Sequence, residues 1–190
     1  MSRIPTASAT IGPFFPGRYV DAGANDLTLR DGRVARGTAI TLSGNVTQAD
    51  GTPLENLILE LWQADAAGIF DDPADPRAAQ ADPDFCGWGR AATDAQGAYT
   101  FRTIRPGGYD AADGSRRAPH LNLVLLFSGL MRELRTVVYF ESEAENAADP
   151  VLAAVPPARR ALLLARLEAP GRYRFDIRLR GAGETPFFDD

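Results

Sequence analysis

The chain has 190 residues, 45% of them hydrophobic and 24% charged, with a formal net charge of −5. That composition supports one buried core and excludes a disordered chain, a membrane-spanning one and a general nucleic-acid binder. All 20 basic residues are arginine, and the single cysteine, Cys86, permits no intrachain disulfide.

The longest apolar run, Leu121 to Phe127, is far too short to cross a bilayer, and Met1-Ser2-Arg3-Ile4-Pro5 lacks a signal-peptide core. With the unpaired cysteine, this gives a cytoplasmic expectation.

From the start to Val34, prolines and glycines interrupt the chain and neither a two-residue nor a 3.6-residue period is sustained. Residues 1–34 are expected to form an arm, and residues 35–190 one domain. Thr10-Ile11-Gly12-Pro13-Phe14-Phe15-Pro16 is apolar enough to dock, on its own core or on a neighbour.

Alternation begins at Thr38. Ile40, Leu42 and Val46 predict a strand that ends at Asp50-Gly51-Thr52-Pro53, and Leu57, Leu59 and Leu61 predict its hairpin partner. Gln63 to Gly87 is irregular and rich in aspartate. Its spacing lacks the alternating ligands, glycine and closing glutamate of a calcium loop, so Asp65, Asp71, Asp72, Asp75, Asp82 and Asp84 read as caps and turn formers.

A second hairpin is predicted from Trp88–Ala92 and Ala98–Arg105 around Asp94-Ala95-Gln96-Gly97. The clearest strand, His120 to Phe127, puts His120 and Asn122 on one face and Leu121, Leu123, Leu125 and Phe127 on the other. Taken alone, a single histidine beside such a strand is a hydrogen-bonded core residue. Arg135 to Glu141 is a further strand. Pro156-Pro157 opens a helix expected over Ala158–Glu168, and Arg172–Arg180 alternates as one closing strand. The aromatic end, Phe187-Phe188, is expected to dock. Short strands, long loops, one late helix and no βαβ alternation together predict an all-β, antiparallel β-sandwich.

One cysteine and one histidine do not make a zinc site, and no glycine pattern fits a phosphate loop. Ser128 lies in Phe-Ser-Gly without a nucleophile elbow.

Read as a whole, the sequence resembles the intradiol ring-cleavage dioxygenases. The resemblance rests on Gly12-Pro13-Phe14, Leu59-Glu60-Leu61-Trp62-Gln63-Ala64-Asp65, Gly87-Trp88-Gly89-Arg90, Thr103-Ile104-Arg105-Pro106-Gly107, Ala118-Pro119-His120-Leu121-Asn122, Asp149-Pro150-Val151-Leu152 and Gly183-Glu184-Thr185-Pro186-Phe187-Phe188. It implies a hetero-oligomer of alpha and beta chains that opens the ring of protocatechuate with O2. The beta chain would hold Fe(III) through two tyrosines and a His-x-His strand, anionic oxygen suiting the hard ferric ion.

Carried onto this chain, the His-x-His pair falls on His120 and Asn122, one tyrosine on or next to Tyr109, and the other near Arg77. The resemblance thus implies an alpha chain with no metal and no catalytic residue of its own, with Arg77, Tyr109, Arg117, His120 and Asn122 around a relic cavity. It further implies that Thr10, Gly12 and Pro13 help close the substrate site of the beta chain. Ser128 stands where family alpha chains tend to carry an arginine. The other reading left open is a stand-alone β-sandwich that binds a small aromatic without catalysis.

Overall fold

A computed structural model describes residues 15, 19–128, 130 and 132–189. In chain order its strands are β1 (Leu29–Arg30), β2 (Arg33–Val34), β3 (Ala39–Thr47), β4 (Ile58–Trp62), β5 (Trp88–Ala92), β6 (Ala98–Ile104), β7 (Tyr109–Asp110), β8 (Arg116–Arg117), β9 (His120–Leu126) and β10 (Leu134–Phe140). Two short helices follow, α1 (Pro150–Ala154) and α2 (Pro157–Arg160), and then β11 (Leu164–Ala169), β12 (Arg172–Arg174) and β13 (Ile177–Arg178).

The expected β-sandwich is present, but it is not wholly antiparallel: β11 starts parallel to β10, and β12 and β13 run parallel to β3. One layer has β3 between β6 and the successive strands β12 and β13; the other runs β5, β4, β9, β10. Strand β11 belongs to both layers. Its start pairs with Tyr139 and Phe140 of β10, and its later residues pair with β12. Alternation sends Ile40, Leu42, Val46 and Phe101 inward from the first layer to meet Leu59, Leu61, Leu121, Leu123 and Leu125 from the second. Each such leucine, fully withdrawn from water, contributes about 1.5–3 kcal/mol.

The two expected hairpins are not hairpins. The turns form, with Leu54 N–H on Val46 O at 3.0 Å and Gly97 N–H on Asp94 O at 2.8 Å. Across each turn, however, the chain changes layer: β3 pairs with β6 and β4 with β5. The strands on either side meet through inward side chains rather than backbone bonds, and alternation fixes a strand's buried face without naming its neighbour.

The expected helix over Ala158–Glu168 is also corrected. Only Pro157–Arg160 is helical; a 3-10 turn, Ala161–Leu163, follows, and β11 begins at Leu164. Leu163 and Ala165 are the fully buried pair, a period of two concealed in helical spacing, because the open edges of β10 and β12 claim this backbone.

Arg172–Arg180 is broken at Phe175-Asp176. There Phe175 N–H bonds Ser43 O at 2.8 Å, Asp176 Oδ1 accepts from Asn45 N–H at 3.0 Å, and Phe175 O accepts from the buried Tyr99 hydroxyl at 2.6 Å. Gly44 makes this possible, since a Cβ there would lie 1.8 Å from Phe175 O.

The aspartate-rich loop is held as expected. Asp65 accepts from the N–H groups of Ala67, Ile69 and Asp82, while Asp82 accepts from Arg36. The aromatic end docks on the domain, with Phe188 N–H on Arg135 O at 2.9 Å and Pro186 O accepting from Thr136. The described part of the arm region also packs on the domain: Leu27 enters the core, and Arg90 lies between the rings of Tyr19 and Trp88, at 4.2 and 4.7 Å, while pairing with Glu60. Among the described residues, no helix is long and apolar enough to cross a membrane.

Candidate functional site

The candidate site lies on the outer side of the β4–β9–β10 layer, under the β7–β8 hairpin. Leu121, Leu123 and Leu125 occupy the inner face of β9, so alternation turns His120 and Asn122 outward. Although outward-facing, His120 is only 4% exposed, being roofed by Tyr109 (ring centroids 5.7 Å apart) and flanked by Tyr139 (5.8 Å). Phe70 meets Tyr109 edge-on at 5.3 Å, and Trp62 meets Phe70 at 4.7 Å. The result is a run of rings from the surface to the histidine.

Beneath the run is a buried polar centre that sequence reasoning missed. Asp149, with no exposure to water, accepts from Arg117 Nε (2.9 Å), Ala118 N–H (2.9 Å), the Tyr139 hydroxyl (2.8 Å) and the N–H groups of Val151 and Leu152 (3.0 Å each). Arg117 also donates to the Tyr139 hydroxyl at 3.2 Å. Burial opposes the charge on Asp149, but these bonds outweigh it and hold its carboxyl below the usual range. Burial and the Asp149 charge raise the Tyr139 phenol, which stays protonated. The Asp149-Pro150 pair is a legible helix start. Its bonds to Arg117 and Tyr139 join residues remote in sequence and leave no local signal.

His120 Nδ1 lies 2.7 Å from Ala118 O, which makes Nδ1 the N–H donor and leaves Nε2 as the ring's lone pair. Burial, aided by the Arg117 charge, lowers its pKa from 6.5 to about 4. The unfolded histidine therefore takes up a proton at a higher pH than the folded one. This stability is complete above pH 6.5 and is lost as pH falls toward 4, a total of about 3 kcal/mol. Urea midpoints should fall across that window, and His120→Gln should flatten the fall. An unchanged slope in the variant would show that another group titrates.

Arg77 is fixed by local partners. Its guanidinium is held by Asp75 (Nε to Oδ1 3.2 Å, Nη2 to Oδ2 3.0 Å) and by Gly68 O at 2.9 Å. Arg77 and Tyr109 line a cavity of about 520 Å3 together with Trp62, Phe70 and Asp72. His120, Asn122 and Arg117 lie outside that lining: the histidine is under Tyr109, the Asn122 amide donates to Trp62 O at 3.2 Å, and Arg117 is bound to Asp149. Of the five residues, Arg77 and Tyr109 share the lining of this cavity. Thr10, Gly12 and Pro13 lie outside the described residues.

This donor set does not fit ferric iron. His120 offers one nitrogen, the Asn122 amide is a poor ligand already engaged, and Arg77 brings a cation. Among the described residues, no three His, Cys, Asp or Glu side chains are grouped to hold a metal ion.

The family model described as Dioxygenase matches residues 11–181. The chain belongs to the intradiol dioxygenase family. Within that family, it is 40% identical to the protocatechuate 3,4-dioxygenase alpha chain of Burkholderia cepacia, over 97% of this chain and 96% of that one. The beta chain from the same organism is 36% identical over 79% of this chain and 68% of its own length. Among solved intradiol dioxygenases, 3-chlorocatechol 1,2-dioxygenase of Rhodococcus opacus 1CP superposes with a TM-score of 0.64 at 28% identity, covering 91% of this chain and 70% of that one.

Proposed function

We propose that this chain is the alpha subunit, without iron of its own, of a protocatechuate 3,4-dioxygenase in the cytoplasm. In this reading a homologous beta chain holds the Fe(III), and the assembly inserts both atoms of O2 into protocatechuate to give 3-carboxy-cis,cis-muconate. The end-to-end similarity to an alpha chain, against partial coverage of a beta chain, supports the alpha assignment. The carrying observation is the donor set. At the positions to which the family resemblance assigns a second imidazole and a second phenolate, this chain carries Asn122, bonded to a backbone carbonyl, and Arg77, paired with Asp75.

The chain's own contribution is then to shape and close the partner's site. Residues Thr10, Gly12 and Pro13 are assigned that task, and the anchoring of Tyr19 by Arg90 fits it by fixing where the arm leaves the domain. Such an arm, stiffened by proline, docks at low ordering cost.

Separate and joint expression tests both assignments. Alone, the chain should be colourless and contain no iron above background. Co-expressed with its beta chain, it should yield a complex with tyrosinate-to-iron absorbance that cleaves protocatechuate. Replacing Thr10 and Pro13 should lower turnover of that complex while leaving the thermal midpoint of the lone chain unchanged. Stoichiometric iron on the lone chain would overturn the subunit assignment, and unchanged turnover in the arm variant would remove the arm from the site.

A further inference from the structure

The cavity beside Tyr109 has no task in the reading above, and its chemistry selects a ligand class. About 520 Å3 accommodates a molecule built on a single ring. One wall is the continuous surface of Trp62, Phe70 and Tyr109, and Trp62 is 43% exposed, so a flat group can lie against it. The Tyr109 hydroxyl has no hydrogen-bond partner among the described residues and is free to accept or donate.

The charges are unequal. Among the described residues, Asp72, Asp75 and Asp110 line the cavity against one cation, Arg77, and that cation is committed to Asp75 and Gly68 O. Asp110 shares Arg116 at 3.4 Å with a closer competitor, Glu145 at 2.7 Å. Asp72 accepts from Ala74 N–H at 2.7 Å through one oxygen, and has no basic partner among the described residues. Aromatic faces also carry negative potential, so the wall and the carboxylates favour the same sign of charge.

We propose that this cavity binds a small aromatic ammonium, its ring against Trp62 and Phe70 and its charged nitrogen between Asp72 and the Tyr109 hydroxyl. An aromatic carboxylate would meet the same wall but face the uncompensated carboxylate of Asp72. The cavity therefore does not compete for an anionic aromatic substrate turned over elsewhere in an assembly.

A matched series changes only the charge: benzylamine, benzyl alcohol and benzoate, titrated into the full chain at pH 7 and followed by tryptophan fluorescence and ligand-observed NMR. Protonated benzylamine should bind about tenfold more tightly than the alcohol, with benzoate weakest. Asp72→Asn should bring benzylamine down to the alcohol's affinity and leave the alcohol unchanged. Trp62→Leu, at an exposed position, should weaken both while circular dichroism shows an unchanged fold. Equal binding of the three probes, preference for benzoate, no saturable binding at millimolar concentrations, or insensitivity of benzylamine to Asp72→Asn would each overturn the proposal.

Discussion

Asp149→Ala is expected to destabilise the chain by about 3–5 kcal/mol, the range seen when one partner of a buried ion pair is removed. Among the described residues, the substitution leaves the Arg117 guanidinium with a single acceptor, the Tyr139 hydroxyl, and deprives that hydroxyl and the N–H groups of Ala118, Val151 and Leu152 of their acceptor. Asp149→Asn keeps an acceptor oxygen but loses the charge, and should cost about 1–3 kcal/mol. Removing both charges, in Asp149→Asn with Arg117→Met, should cost less than the sum of the two single changes, because the arginine is no longer stranded. Urea unfolding at pH 7 reads all of these. A loss below about 1 kcal/mol for Asp149→Ala would mean that water replaces the carboxylate, contrary to a centre closed to solvent.

Gly44→Ala should cost at least about 3 kcal/mol, the upper end of ordinary overpacking, since its new methyl group would overlap the backbone at Phe175. A control separates steric overlap from backbone conformation. Gly51 has φ of +87° with no atom near a built Cβ, so Gly51→Ala should cost only about 1 kcal/mol. If the two variants unfold at the same urea concentration, the close approach of β3 to Phe175 is not what selects glycine at position 44.

Leu121, Leu123 and Leu125 announce a strand and its buried face because a period of two is a local property. The aspartates of the long loop were readable as turn formers for the same reason, since most of their acceptor bonds span only a few residues. The strand partners were not. The turns after β3 and β5 have ordinary hairpin chemistry, and nothing within them says that the chain passes to the other layer.

Leu163 and Ala165 show a second limit. Their inward period of two extends over one repeat, too short to outweigh the helical spacing of Ala161, Leu162 and Leu167. At the candidate site, Arg77, Tyr109, Arg117, His120 and Asn122 were named through the family resemblance, and the structure brings them near one another. What the sequence lacked was the division among them. Arg77 and Tyr109 line an open cavity, whereas Arg117 and His120 belong to a closed centre organised by Asp149.

Strand β11 gives the sandwich a mechanical property. Because one continuous backbone segment is hydrogen-bonded first to β10 and then to β12, it acts as a seam, and sliding one layer over the other would tear the seam before side-chain contacts could re-form. The layers are thus coupled in shear. Amide hydrogens at Leu123 in one layer and Phe101 in the other should exchange through a shared opening with equal protection, in a protein that breathes as a single slab.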